Sequence, residues 1–180
     1  MVREPGLREV LISEAVQLLD SGAADLSLRQ VARAAGVSAM APYRHFDDKA
    51  ALERAVAEHG FELLRARLEA AEDNLSGTAA LIAQGEAYVG FASAHPALFR
   101  MMFTEHCAAG HPQDLGASAY AVLSSRVANI LAANDAAATL ACWAIVHGLA
   151  TLTLDGRIAP GTAGVRGALE VFVSGLKGTG

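Results

Sequence analysis

Apolar residues recur along this chain three and four positions apart. Leu7, Val10, Leu11, Ala15, Leu18 and Leu19 make one stripe, which predicts a helix that stops before Gly22. A shorter pattern opens at Ser27, a residue suited to capping, with Val31, Ala34 and Ala35 behind it and Gly36 where a left-handed C-cap residue belongs. Val37 would plug the angle, and Ser38 would cap a second short helix running to Phe46. Small Ala32 lets two such helices cross closely. A capping Asp47 or Asp48 then starts a long helix with Leu52, Val56, Leu63, Leu64 and Leu68 facing inward over about six turns.

After a turn at 74–77, helices are expected over 81–94, 97–103, 117–133, 135–154 and 164–176, with His95-Pro96 as a break and a Gly, His and Pro-rich loop over 108–116. The last carries the stripe Val165, Ala168, Leu169, Phe172, Val173 and Leu176. No stretch alternates with period two. The fold class is therefore all-α, with about nine helices and no internal repeat.

Composition sharpens this picture in two places. The 180 residues are 53% hydrophobic and 18% charged, enough for a substantial core and for one large or two small domains. A net charge of −5 argues against a nucleic-acid partner, for which a basic domain is the usual footprint. That charge is unevenly spread. From Leu26 to Phe46 there is no Asp or Glu, but Arg29, Arg33, Arg44 and His45 are present, so the local field of the two short helices is positive. Two cysteines cannot form a disulfide framework and no apolar leader opens the chain, so the cytoplasm is the expected compartment. Residues 136–154 run without a charge, but their apolar content is mostly alanine. A buried helix is expected there rather than a membrane span.

Two short helices with a glycine turn, the second small and polar, have the shape of a helix-turn-helix that enters a groove of DNA. Ala34, Ala35, Gly36, Val37 and Ser38, followed by Tyr43, Arg44, His45, Phe46 and Lys49, resemble the DNA-binding motif of the tetracycline-repressor (TetR) family of transcription regulators. Pro42 stands where that family more often has leucine. As the fourth residue from the Ser38 cap it is expected to forfeit about one hydrogen bond, and the short helix to survive. The segments AHPALFRMMF at 94–103 and CWAIVHGLATLTLDGRI at 142–158 resemble the ligand-binding and dimerisation domain of one TetR branch, marked here by Trp143, His147 and Gly148.

The resemblance implies a three-helix DNA-binding domain over 1–48 and a helical effector-binding and dimerisation domain over 49–180. It implies a homodimer on a near-palindromic double-stranded operator, released by a small molecule, with no cofactor. Ala39, Met40 and Ala41 would meet thymine methyl groups, and Ser38, Tyr43, Arg44, His45 and Lys49 the phosphates, with Ser27 and Arg29 on the first motif helix beside the backbone. Each has a plainer reading. Tyr43 also suits a core aromatic, and Lys49 and Arg29 suit solvent.

The effector site is expected among Phe91, Leu98, Met101, Met102, Trp143 and His147. There Trp143 and the methionines read equally as core, and His147 as a hydrogen-bonded buried histidine. An apolar or aromatic effector follows, with His147 as its hydrogen-bonding group. The alternative is a metal-binding or catalytic bundle using His106, Cys107, His111 and His147, which are good ligand types at a spacing that fits no familiar closed site. No nucleophile and base pair or paired carboxylates stand at a useful spacing, so no enzyme and no metal site is expected.

Overall fold

The computed structural model describes residues 5–23, 25–104, 117–131, 136–159 and 162–176. Among them are eight α-helices and no strand: α1 Leu7–Asp20, α2 Leu28–Ala34, α3 Lys49–Ala71, α4 Gly77–Ala94, α5 Pro96–Met102, α6 Ala117–Leu131, α7 Ala136–Leu154 and α8 Thr162–Leu176. The ninth expected helix, after Ser38, is only a 3-10 turn over Pro42–Arg44. Proline is the reason. In an α-helix the residue 42 N–H would bond the Ser38 carbonyl, and proline has none. That carbonyl instead accepts the Ala41 N–H at 2.9 Å, and the chain continues in three-residue steps, Arg44 N–H to Ala41 and His45 N–H to Pro42.

The helices form two compact units, divided inside α3 between Gly60 and Phe61. The first holds α1, α2, the 3-10 turn, the opening half of α3, and α5. Leu11, Leu26, Val31, Leu52 and Leu98 are fully buried in it, each contributing about 1.5–3 kcal/mol by leaving water. Helix α5 lies on α3. A methyl group on Gly60 would stand 2.8 Å from Met102 Sδ and 3.1 Å from a Leu98 methyl, so only glycine allows this approach. His95, between α4 and α5, places its Nδ1 2.9 Å from the Asp20 carboxylate at the end of α1.

The second unit is built around α4, which packs on α6, α7 and α8. Gly85 admits Leu169 of α8, whose methyl would lie 2.7 Å from an added Cβ. Arg166 of α8 donates to Glu86 of α4 at 3.0 Å. The predicted α8 stripe faces inward, and Phe172, Trp143 and Leu176 cover a core of Leu81, Leu123, Val127, Cys142 and Val173.

Helix α7 corrects an expectation. It buries Thr139, Cys142, Val146, Leu149 and Ala150, but Leu140 is 53% and Leu152 44% exposed. It is buried on one face only. It is long and apolar enough to cross a membrane by length and composition, but its placement against α4 is that of a helix in a globular bundle.

Candidate DNA interface and effector cluster

The first motif helix is fixed at both ends by its sequence. Ser27 Oγ accepts the Gln30 N–H at 3.2 Å and gives its own O–H to the Gln30 side chain. At the other end Gly36 takes φ +68°. Its N–H bonds the Arg33 carbonyl at 3.2 Å while the Val37 N–H bonds that of Ala32 at 3.0 Å, the paired closure of a Schellman motif. Val31, Ala32 and Phe46 are buried beneath, and the Arg8 guanidinium lies 5.5 Å from the centre of the Phe46 ring.

This frame leaves the candidate DNA residues outward. Arg29, Ser38, Ala39, Met40, Tyr43, Arg44, His45 and Lys49 are exposed and Ser27 and Ala41 half-buried. Met40, at 69% exposure, is the most exposed large apolar side chain on this surface. Pro42 is buried instead of presented. Asp48 caps α3 by accepting the Ala51 N–H at 2.7 Å, so Lys49 sits in that helix's first turn. Its ammonium is not left to solvent: it pairs with Asp25 and, at 3.4 Å, with Glu53. The hydrogen bond from Lys49 holds the Asp25 carboxyl below its usual range, and that bond raises Lys49 in turn.

The candidate effector residues divide between the units. Leu98, Met101 and Met102 are on α5 in the first, and Phe91, Trp143 and His147 are in the second. In the second unit the structure adds two partners that sequence spacing did not indicate. Tyr88 of α4, 5% exposed, lies with its hydroxyl 3.0 Å from His147 Nδ1. Tyr120 of α6 stands edge-on to Trp143 with ring centres 6.5 Å apart, and Trp143 and His147 are 5.8 Å apart.

Burial sets the protonation of this cluster. It raises the Tyr88 hydroxyl well above its ordinary value, against a hydrogen bond from Trp143, and lowers His147 from 6.5. Both are therefore neutral at pH 7, and their contact is a hydrogen bond between a neutral phenol and a neutral imidazole. Burial also pushes the Cys142 thiol up to about 11, which leaves it unreactive.

His106, Cys107 and His111 lie outside the described residues. Among the described residues no group of three His, Cys, Asp or Glu could hold a metal ion.

Such a fold, with an outward helix-turn-helix ahead of a helical unit enclosing a polar aromatic cluster, defines a DNA-binding transcription regulator. Residues 11–56 match the profile of bacterial regulatory proteins of the tetR family, and residues 81–176 that of the tetracyclin repressor-like C-terminal domain. The chain belongs to the tetracycline-repressor family. Trp143, His147 and Gly148 fall within the C-terminal match.

Among solved structures it resembles a protein of unknown function from Rhodococcus sp. RHA1, 31% identical over 97% of this chain and 95% of that one, with a TM-score of 0.76. A tetR-family regulatory protein from Rhodococcus RHA1 shares the fold at 19% identity, 94% coverage of both chains and a TM-score of 0.56. A comparison with curated proteins finds no match.

Proposed function

We propose that this regulator is a homodimeric repressor that a small molecule releases from a near-palindromic operator. The observation that carries DNA reading is the outward, acid-free segment 38–45 held on a Schellman-closed turn. Ala39, Met40 and Ala41 offer only apolar contact and so favour thymine methyl groups. Ser27, Arg29, Ser38, Tyr43, Arg44, His45 and Lys49 take phosphates. Two such heads fit half-sites about 34–36 Å apart.

The dimer forms through α7 and α8. Helix α7 contains no charged side chain and exposes Leu140 and Leu152, while α8 exposes Val171. On the same side of α8, a Cβ added at Gly164, Gly167 or Gly175 would meet nothing within 4 Å, so a partner helix can approach closely. A two-fold axis covers this apolar strip on both copies at once.

The effector contacts Phe91, Trp143 and His147, with Tyr88 fixing the imidazole. His147 is the polar group of that set and the one expected to hydrogen-bond a ligand. Helix α4 runs into α5 with His95 alone between them, so a displacement of α4 reaches the α5 residues Leu98, Met101 and Met102. Release needs the effector to prefer the non-reading conformation, and a hundredfold preference corresponds to about 2.7 kcal/mol.

Selection from random duplexes tests the reading. It is expected to return inverted half-sites about ten base pairs apart, rich in A·T pairs under Ala39 to Ala41. Recovery of sequences without dyad symmetry would refute it.

A further inference from the structure

The acid-free run from Leu26 to Phe46 is preceded directly by Asp25, and the fold brings that residue back to the far end of the motif. Lys49, 24 residues on, donates to its carboxylate. Glu53 Oε1, one turn further along α3, stands 3.4 Å from the same ammonium. One cation thus faces two carboxylates, and the trio carries a net charge of −1. It is an acidic spot at the edge of a basic surface.

Helix stability does not account for Lys49. It is the first residue of α3, where the helix dipole favours an acid and disfavours a cation. A lysine four residues before a glutamate is also the weaker order of such a pair. Nor does the trio fix a core, since the Lys49, Asp25 and Glu53 side chains are 45%, 72% and 22% exposed. Exposed pairs add little to stability. What these two acids do is occupy the ammonium. A phosphate can take it only in exchange for Asp25, and both carboxylates then stand close to the phosphate's own charge.

We infer that Asp25 and Glu53 are an electrostatic brake on DNA binding, holding the Lys49 ammonium in the free protein and surrendering it to a phosphate in the complex. The inference rests on the DNA-reading function proposed above. Phosphates carry no sequence information, so the brake lowers affinity for every duplex alike. Release of the operator is thereby kept within reach of the modest coupling that an effector supplies.

Fluorescence anisotropy with the full chain tests this, on a labelled duplex of the DNA flanking the protein's own gene and on a scrambled duplex of equal composition. Asp25→Asn removes the charge but keeps the side-chain size and an oxygen for the Leu26 N–H, which the carboxylate now accepts. It is expected to bind both duplexes about three- to fivefold more tightly at about 0.1 M salt, and Glu53→Gln likewise. With Lys49→Met in the background, the gain from Asp25→Asn is expected to fall below about 1.5-fold, because the acid then holds no cation back.

A gain undiminished in the Lys49→Met background is plain repulsion between acid and DNA, and would overturn the brake. Weaker DNA binding by a folded Asp25→Asn protein would overturn it too, as the mark of a pair that only braces the chain ahead of α2. If Asp25→Asn does not fold, Glu53→Gln with and without Lys49→Met decides on the same comparison. A wild-type chain that binds neither duplex at low salt removes the DNA-reading function and the brake together. Wild-type binding with no gain in Asp25→Asn removes the brake alone.

Discussion

Val171→Lys is the sharpest probe of the proposed dimer. Val171 is 75% exposed, more than any other large apolar side chain among the described residues. It points away from the core that Val173 and Phe172 join. Fully burying a valine is worth about 1.5–3 kcal/mol, so covering the three-quarters now in water returns about 1–2 kcal/mol. The two-fold axis counts it twice, about 2–4 kcal/mol per dimer, which is about 30- to 700-fold in the dissociation constant. A lysine also brings a charge that must be desolvated or turned aside, so the upper part of that range applies. Because the side chain makes no core contact, the monomer fold is expected to survive with unchanged helicity. Sedimentation velocity across a concentration series measures the shift. DNA affinity should fall with it, since each half-site then associates singly. An unchanged dissociation constant in a folded Val171→Lys protein would refute the α7/α8 surface. Phe172 is a poorer probe because it packs on its own subunit's core.

The other predictions concern separate parts of the molecule. Lys49→Ala should weaken binding to all duplexes nearly equally and flatten the salt slope by about one unit; a changed base preference with an intact slope would place Lys49 on a base. Because burial lowers His147 from 6.5, its contribution to stability is fully present above pH 6.5 and is lost as the pH falls, since the unfolded chain takes up the proton first. Chemical denaturation of His147→Leu should lack that acid-side loss while losing about 1 kcal/mol at pH 8 with the Tyr88 to His147 hydrogen bond; an unaltered pH profile contradicts the assignment. Gly85→Ala should destabilise by about 1 kcal/mol, because the two Leu169 methyls 2.7 and 2.9 Å away belong to a buried side chain with nowhere to swing. Gly148→Ala, with nothing within 4 Å, should instead stabilise by up to about 1 kcal/mol. Thermal melts that rank the two the other way would contradict the packing of α4 on α8.

The local rules were legible wherever one residue decides a bond. Ser27, Gly36 and Asp48 cap as their types require, and the α8 stripe faces inward as its spacing indicates, with Val165, Leu169 and Val173 buried and the rest half-buried. Pro42 was visible too, but its effect was underestimated. The segment between Ser38 and Phe46 is too short to absorb a missing bond, so three-residue bonding replaced the helix. Helix α7 misled because it is apolar on every side, and a hydropathy pattern cannot say which faces a single subunit covers.

Tyr88 was missed for a different reason. The Tyr88 to His147 bond spans 59 residues, and no periodicity within α4 or α7 reports which turn of one faces which turn of the other. The Leu98, Met101 and Met102 set was read with Trp143 and His147, whereas the chain folds α5 into the DNA-reading unit.

Sequence-selective DNA binding is the claim on which the rest stands, and a gel-shift titration against the DNA flanking the protein's own gene tests it directly. The wild-type chain is expected to retard that DNA at nanomolar concentration in moderate salt, to lose affinity linearly in log salt, and to leave a scrambled duplex of equal composition unshifted until about 10³-fold higher concentration. Equal affinity for the flanking and scrambled duplexes, or no retardation of either at low salt, would contradict it.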